Sequence, residues 1–353
     1  MFRQARTTAV PSLVKSRLRG VGYNALALAV GIVSGLALVA AIGGDLRAAS
    51  ISLLLSPISS TYSFAEVFVR LTVLLIMGLG IALGLRAGVW NVGAEGQYIV
   101  GSVLAMTAAL YLPSVPPPLR LVVMMLAGAG AGLLWMTVPA VLKAKFGANE
   151  IIVTLLLNLV ASNFLLYALD GPIRAKGSGG YLISDVLPPE LRIPKIIPQT
   201  RLGLGLVIAL GLVVVFYLLS ERTSFGLQVR TIGRNQEAAR FAGIEIPRVI
   251  ILTMLLGGAM AGLAGAVQVS GVIFALDPGY PSGYGFIAII VAMLGGTSAI
   301  GTAIAALVMS YFIVGAEAMQ SSAHVPFALV YTIEGIILFS LAAGQYLMSR
   351  GRR

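Results

Sequence analysis

The sequence predicts an all-α, polytopic membrane protein: a bundle of about ten transmembrane helices, some of them short or broken. The first observation is composition, since the 353 residues are 58% hydrophobic and only 10% charged, with 42 glycines. A soluble domain has roughly one quarter charged residues. The second observation is the length of the apolar runs, because a helix needs about 20 apolar residues to cross a bilayer.

A basic N-terminal segment, 1–24, precedes a single integral domain predicted over 25–349. The first apolar run, 25–43, is longer than the roughly 7–15 apolar residues of a signal peptide, so a retained helix is predicted. Two later runs, 98–112 and 286–300, are short and lie beside Gly-rich stretches, which predicts broken, tilted or re-entrant helices. The ten predicted spans are 25–43, 67–85, 98–112, 119–141, 151–169, 202–219, 249–270, 286–300, 302–320 and 327–347.

Charge distribution predicts the orientation of these spans. If the N-terminus is cytoplasmic, ten spans place the C-terminus there too, and sixteen of the 24 Lys and Arg residues then fall in cytoplasmic segments, as the positive-inside rule requires. The loop 220–248 is cytoplasmic in this arrangement and holds five arginines. The long outer loop 170–201 is rich in Pro and Gly, which predicts an irregular, surface-lying segment. We therefore assign the net charge of +11 to membrane orientation, with no nucleic-acid partner.

Several kinds of chemistry are excluded by residue content. The chain has no cysteine and a single histidine, His324, so neither a thiolate metal site nor a histidine cluster is possible. None of the five lysines follows a glycine, which excludes a phosphate-binding loop ending in Gly-Lys-Ser/Thr. We predict no catalytic residue, metal or cofactor, and expect the energy for any transport from a separate ATPase or an ion gradient.

A polar, Gly-punctuated stretch, 88–97, separates the second and third spans. Non-helical backbone at membrane depth persists only where protein or a water-filled cavity satisfies it, so Asn91, Glu95 and Gln97 are predicted to line a pathway. The alternative is a turn at the membrane surface with a solvated Glu95.

One face of the fifth span carries Glu150, Thr154 and Asn158, spaced four residues apart. Asn158 lies well inside the span, so its amide must bind another helix or a cavity, and helix packing is the commoner use. Glu317 and Glu334 also fall in apolar runs and are candidates for proton relay. Alternatively, Glu317 lies at an outer helix end near His324 and is solvated.

The segment 233–244 predicts a short polar helix between two spans. Asn235 can cap its first N–H groups, Glu237 places negative charge at its N-terminus, and Gly243 can end it in a left-handed conformation. Such a helix suits docking of a soluble partner, and an amphipathic connector is the alternative.

Four motifs together resemble the permease subunits of ABC importers, in the nucleoside-type branch of the ribose and branched-chain amino acid permease group. The resemblance runs from about residue 67 to the last span and includes the outer segment 177–189. The Asn-Val-Gly-Ala-Glu-Gly-Gln motif is similar to that of the nucleoside branch, whereas sugar permeases carry Gly-Ile-Asp-Leu-Ser there. The four motifs are 91–97, 149–158, 233–244 and 285–295.

The resemblance implies a transport subunit, not an enzyme, in the bacterial inner membrane with both termini cytoplasmic. Its implied partners are an ABC ATPase, a second permease subunit in a heterodimer rather than a homodimer, a substrate-binding protein or lipoprotein, and the lipid bilayer. The segment 235–243 is then the coupling helix that sits in a cleft of the ATPase. The implied coupling residues are Gly233, Asn235, Glu237, Ala238, Ala239 and Gly243.

A purine nucleoside is the substrate that the resemblance and these residues favour. It is neutral, so amides from Asn91, Gln97 and Asn158 suit it as both donors and acceptors, and Trp90 offers a surface on which a base can stack. With Glu95, these residues form the predicted substrate pathway. The alternatives are sugars or branched-chain amino acids as substrates, an ion-coupled secondary transporter using Glu95, Glu317 or Glu334, and a structural scaffold.

Overall fold

A computed structural model describes residues 29–280 and 283–322, together with residues 332, 335, 336, 339, 340 and 343. The predicted basic segment 1–24 lies outside the described residues, as do His324, Glu334 and most of the last predicted span. Within the described ranges the regular elements are helices, with two isolated β-bridges, which confirms the all-α fold class. The helices are α1 Ala29–Ala41, α2 Leu46–Leu55, α3 Thr61–Arg86, α4 Ala94–Tyr111, α5 Pro117–Phe146, α6 Glu150–Asp170, α7 Gly205–Arg222, α8 Ser224–Arg234, α9 Gln236–Phe241, α10 Ile246–Gln268, α11 Tyr284–Leu294 and α12 Ala299–Ser322.

Six of the described helices are long and apolar enough to cross a membrane by length and composition: α3, α5, α6, α7, α10 with its π-helical extension to Ile273, and α12. The helices α1, α2 and α11 are apolar but shorter. A count of ten spans is therefore not confirmed in the described part of the chain. The predicted span 286–300 is wrong in its bounds, because Gly296 and Thr297 adopt left-handed φ angles of 57° and 56° and separate α11 from α12.

The described residues belong to two compact units, 1–60 with 311–353, and 61–310. In the first unit, α2 packs against the second half of α12, where the Tyr311 hydroxyl donates to the carbonyl oxygen of Leu54. A Cβ on Gly315 would clash with the backbone of Leu53, so these helices are in backbone contact. The sequence did not predict α2.

In the second unit, α3 is buried along nearly its whole length, and α10 packs on α3, α4 and α5. Glycines let these helices touch backbone to backbone: a Cβ on Gly262 would clash with the carbonyl oxygen of Gly128, and one on Gly132 with that of Gly258. The small residues of 257–265 therefore serve close helix packing. Close approach of this kind supplies dispersion contacts that replace the hydrophobic effect inside a bilayer.

The predicted outer loop is irregular, but it is not confined to the surface. Leu187 and Leu191 are buried, and the backbone N–H groups of Leu187 and Ile193 donate to the carbonyl oxygens of Phe274 and Ser270. Buried backbone groups need such partners. The loop is therefore packed onto the segment that follows α10.

An ion pair fastens the end of this loop to α3. Arg201 donates from Nε to Glu66 Oε1 at 2.8 Å and from Nη2 to Oε2 at 2.5 Å. Glu66 is 5% exposed and also accepts from Arg70 at 3.2 Å. The hydrogen bonds to the Glu66 carboxylate raise the pKa of Arg201 above its usual value, so the cation is held firmly in its charged form.

Candidate functional site

The polar stretch predicted from sequence is a break between α3 and α4. Gly88 has φ 74°, and the Val89 N–H donates back to the Gly84 carbonyl oxygen at 3.0 Å, which ends α3. The chain stays non-helical until α4 begins at Ala94.

One face of α6 runs along this break. Glu150 Oε1 accepts the backbone N–H of Trp90 at 3.3 Å, and a Cβ on Gly93 would lie 2.8 Å from Cβ of Thr154. Asn158 accepts the Gly96 N–H on Oδ1 at 2.8 Å and donates from Nδ2 to the Val92 carbonyl oxygen at 2.9 Å. The helix rises about 12 Å between residues 150 and 158. The three polar residues predicted to share a face therefore contact the break at three successive positions along the α6 axis.

Two side-chain amides, at the two ends of the motif 91–97, bind each other across the break. Asn91 and Gln97 exchange two hydrogen bonds, of 2.9 and 3.1 Å, and the Gly93 N–H donates to Asn91 Oδ1 at 3.0 Å. Gln97 Nε2 also lies 3.1 Å from the Met136 sulfur on α5. Both amides are buried. In this conformation the side-chain amides of Asn91 and Gln97 are hydrogen-bonded to protein groups.

Glu95 joins the start of α4 to the start of α11. Its Oε1 accepts the Gly283 N–H at 2.9 Å and its Oε2 accepts the Gly285 N–H. A Cβ on Gly285 would clash with the backbone of Glu95, so the two helix starts are in direct contact. A carboxylate at helix N-termini is stabilised by the helix dipoles and the free N–H groups. Glu95 is thus a buried bridge between two short helices, and the alternative of a turn with a solvated Glu95 is wrong.

The structure brings the five predicted pathway residues into one region. Asn91, Glu95, Gln97 and Asn158 are buried, whereas Trp90 is 38% exposed. Trp90 lies beside an ion pair in which Lys143 Nζ is 2.7 Å from Glu150 Oε2. A role in substrate passage stays a prediction for all five. Glu317, the other carboxylate considered for proton relay in the described residues, is exposed on α12.

Three tyrosines beside Glu95 were missed by the sequence interpretation. The Tyr98 ring stacks on Tyr280 with centroids 5.1 Å apart and meets Tyr284 edge-on at 6.5 Å. The Tyr280 hydroxyl lies 2.5 Å from Ser102 Oγ. Because Tyr98 and Tyr280 are 182 positions apart, no spacing in the sequence could have paired them.

The predicted polar helix is present as α9 and is capped as expected. Asn235 Oδ1 accepts the Ala238 N–H at 3.1 Å, and Gly243 ends the segment with φ 74°. A second helix, α8, precedes it directly and was not predicted. Its N-cap is Thr223, whose Oγ1 accepts the Gly226 N–H at 3.1 Å.

The predicted coupling residues do not all face outward. Ala239 is buried. Gly233 is exposed, but it lies against the end of α3, where a Cβ would clash with the Arg86 carbonyl oxygen. Phe241, which the sequence interpretation passed over, is 92% exposed at the end of α9. The remaining four predicted coupling residues are exposed: Asn235, Glu237, Ala238 and Gly243.

A bundle of apolar helices with a broken span in its interior and an exposed, capped helix between two spans defines a membrane transport subunit. Residues 63–342 match the family described as "Branched-chain amino acid transport system / permease component". The chain belongs to this family of multi-pass permeases and is a transport subunit, not an enzyme.

Individual relatives extend the match over nearly the whole chain. It is 34% identical to the glucose ABC transporter permease protein TsgB13 of Haloferax volcanii, over 91% of this chain and 85% of that protein. It is 32% identical to the guanosine ABC transporter permease protein NupP of Bacillus subtilis, over 90% and 92% respectively. The nucleoside ABC transporter permease protein NupB of Lactococcus lactis is 26% identical over 93% and 92%. Bacillus subtilis has a second relative with the guanosine name, 26% identical over 67% of this chain. No solved structure was found to match the chain.

Proposed function

We propose that the chain is the membrane-spanning subunit of an ATP-driven ABC importer for nucleosides, with purine nucleosides as its substrates. The observation that carries the substrate class is the likeness, over at least 90% of both chains, to proteins named as guanosine and nucleoside permeases. The nucleoside-type motif at 91–97 supports the same class. A relative named for glucose is as similar, so glucose is the substrate to test against nucleosides.

The ATPase partner docks on α9 in this proposal. Phe241 presents an almost fully exposed aromatic ring at the end of a polar, capped helix, and exposed aromatic residues are frequent anchors of protein interfaces. The exposed Asn235, Glu237 and Ala238 would surround this anchor. Gly233 and Ala239 would instead pack the α8–α9 segment against the transmembrane helices.

The proposed setting is the bacterial inner membrane, with ten spans and both termini cytoplasmic. Loop 220–248, with its five arginines, then faces the ATPase, and the outer loop 170–201 faces the substrate-binding protein or lipoprotein. A second, different permease chain completes the pathway. Two Bacillus subtilis relatives with the guanosine name support this pairing of unlike subunits.

The substrate pathway is proposed to run beside the break 88–97. Trp90 is the member of the predicted set with a partly exposed ring, on which a base can stack. Asn91, Gln97 and Asn158 have their amides engaged by protein groups in this conformation. Contact with a nucleoside would require these amides to exchange partners during the transport cycle, as alternating access permits.

The test is uptake by the complete complex, reconstituted in proteoliposomes with its ATPase, second permease and binding protein. We expect ATP-dependent accumulation of radiolabelled guanosine, displaced by unlabelled inosine and unaffected by glucose or leucine. ATP-dependent accumulation of glucose or leucine instead of guanosine would assign the chain to sugar or branched-chain amino acid transport. Uptake by the chain alone, driven by a proton gradient without ATP, would replace the ABC mechanism with secondary transport.

Docking is tested separately with Phe241→Ala. Removing a central aromatic anchor costs at least about 2 kcal/mol, which corresponds to a loss of about 30-fold in affinity for the ATPase. Phe146→Ala is the matched control, because Phe146 is also an exposed aromatic residue (74%) at a helix end. Equal binding of the ATPase to both variants would contradict docking through α9.

A further inference from the structure

The end of α3 meets α7, α8 and the turn between α11 and α12, and the Arg86 side chain lies at the centre of this junction. Nη1 of Arg86 donates to Glu221 Oε1 on α7 at 2.6 Å, and Nε donates to the carbonyl oxygen of Thr297 at 2.7 Å. The guanidinium also lies 5.3 Å from the centre of the Phe216 ring. The side chain is only 10% exposed. A guanidinium has five N–H donors in a rigid plane, so it can hold both acceptors in a fixed relation.

The exposed α8–α9 segment is anchored to this junction. Gly233, in the last turn of α8, touches the Arg86 carbonyl oxygen so closely that any Cβ would clash. Arg230 of α8 pairs with the other oxygen of Glu221 at 3.1 Å. Asn235 is at once the C-cap of α8 and the N-cap of α9, so no loop separates the two helices. Because α9 is joined directly to α8 and α8 contacts the end of α3, a displacement of α9 would move the end of α3 as well.

The turn that accepts a hydrogen bond from Arg86, at Gly296 and Thr297, joins α11 to α12. Gly296 and Thr297 are both left-handed, and a Cβ on Gly301 would clash with the carbonyl oxygen of Gly295, so the turn is closed against the first turn of α12. At its other end, about 16 Å away for an 11-residue helix, α11 is held by Glu95 through the backbone of its first turn. The helix is thus fixed to α3 at one end and to α4 at the other.

We infer that Arg86 is the positioning residue that transmits movement of α9 to the α11–α12 turn, and so to the wall that α11 and the break form beside the pathway. The inference rests on the proposed function, in which α9 docks on the ATPase. Glu221 fixes the guanidinium relative to α7 and α8, while the Nε–H holds the turn. Without the arginine, α9 still docks but its movement no longer reaches α11.

The experiment uses the complete complex in proteoliposomes and measures guanosine accumulated per ATP hydrolysed. In Arg86→Gln we expect an unchanged amount of bound ATPase, ATP hydrolysis within about twofold of wild type, and at least a tenfold lower ratio. Arg47→Gln is the matched control, since it removes the same charge from an exposed arginine on α2, outside the loop that faces the ATPase. We expect its ratio to equal that of wild type.

Two further variants test the same inference without loss of charge. Arg86→Lys retains a cation but has a single ammonium in place of the planar fork, so we expect an intermediate ratio. Gly233→Ala forces α8 away from the end of α3 and should lower the ratio, whereas Gly211→Ala, in open space on α7, should not. A wild-type ratio in Arg86→Lys and Gly233→Ala overturns the inference even if Arg86→Gln does not insert into the membrane.

Hydrogen exchange distinguishes this inference from the proposed function. In wild type, nucleotide-driven closure of the ATPase should change exchange both in 236–243 and in 292–298. In Arg86→Lys the change at 236–243 should persist and that at 292–298 should fall. If exchange still changes at both segments in Arg86→Lys, the inference about Arg86 is overturned and the proposed function is untouched. If the wild-type complex neither binds the ATPase nor takes up nucleoside, the proposed function itself is contradicted.

Discussion

Replacement of Asn158 by leucine tests whether one α6 side chain holds the break between α3 and α4. The amide is 6% exposed and makes two hydrogen bonds, from the Gly96 N–H at 2.8 Å and to the Val92 carbonyl oxygen at 2.9 Å. Leucine has a similar volume, so the change removes both bonds without opening a large cavity. The Gly96 N–H and the Val92 carbonyl group are then left without this partner in a buried site.

The size of the destabilisation depends on whether the lost hydrogen bonds or the unsatisfied backbone groups cost more free energy. A side-chain hydrogen bond in a membrane protein contributes about 0.6 kcal/mol on average, so loss of two bonds alone would cost about 1.2 kcal/mol. A buried backbone group left unsatisfied costs about 1–3 kcal/mol, so two such groups cost about 2–6 kcal/mol. The second cost applies here because both backbone groups stay in place. We therefore expect a fall of at least about 2 kcal/mol in the local opening free energy, which is about 30-fold in exchange rate.

Hydrogen exchange of a peptide covering 90–98, in nanodiscs, measures this quantity directly. Asn163→Leu is the matched control, because Asn163 lies on the same helix but is exposed, and its Nδ2 donates to the Leu159 carbonyl oxygen, 2.8 Å away, within α6. Guanosine uptake should fall in Asn158→Leu and persist in Asn163→Leu. Exchange in 90–98 that is equal in the two variants would refute the reasoning, since the break would then be held by other contacts.

Two other predictions concern packing and orientation. Gly262→Ala should separate α10 from α5 and lower the free energy of unfolding by about 1–3 kcal/mol, measured by denaturant unfolding in detergent. Gly130→Ala, with nothing within 4 Å of its Cβ, should not lower it, because alanine favours the helix more than glycine does. Equal stabilities would contradict backbone contact between the two helices. Cysteines introduced at Ala238 and at Ser178, in a chain that has none, should react with an impermeant thiol reagent from opposite sides of the membrane. Reaction of both from one side would refute the proposed topology.

The sequence identified the elements whose signals are local. Long apolar runs predicted a helical membrane protein, and the Asn235 cap with Gly243 predicted α9 to within two residues at each end. The four-residue spacing of Glu150, Thr154 and Asn158 predicted a shared face, which the structure confirms. These signals succeed because apolar run length, helix periodicity and capping depend on residues within a few positions of one another.

The tertiary structure decided what those faces touch. Asn158 was predicted to bind a helix or a cavity, and only packing shows that its partners are the backbone of Val92 and Gly96. The junction at Arg86, which joins residues 211 positions apart, leaves no periodic trace in the sequence. The apolar run 286–300 could not reveal the left-handed turn that divides it, because Thr297 rarely adopts that conformation unless its surroundings impose it.

The sequence by itself therefore determined the class of protein, its family motifs and the capped helix that we propose as the docking element. The three-dimensional packing alone determined how the break is stabilised, that Glu95 joins two helix starts, and that Phe241 is exposed while Ala239 is buried. The physical reason is the range of the interactions. Helix formation is set by neighbours along the chain, whereas each buried polar group takes whichever partner the close approach of distant helices brings within hydrogen-bonding distance.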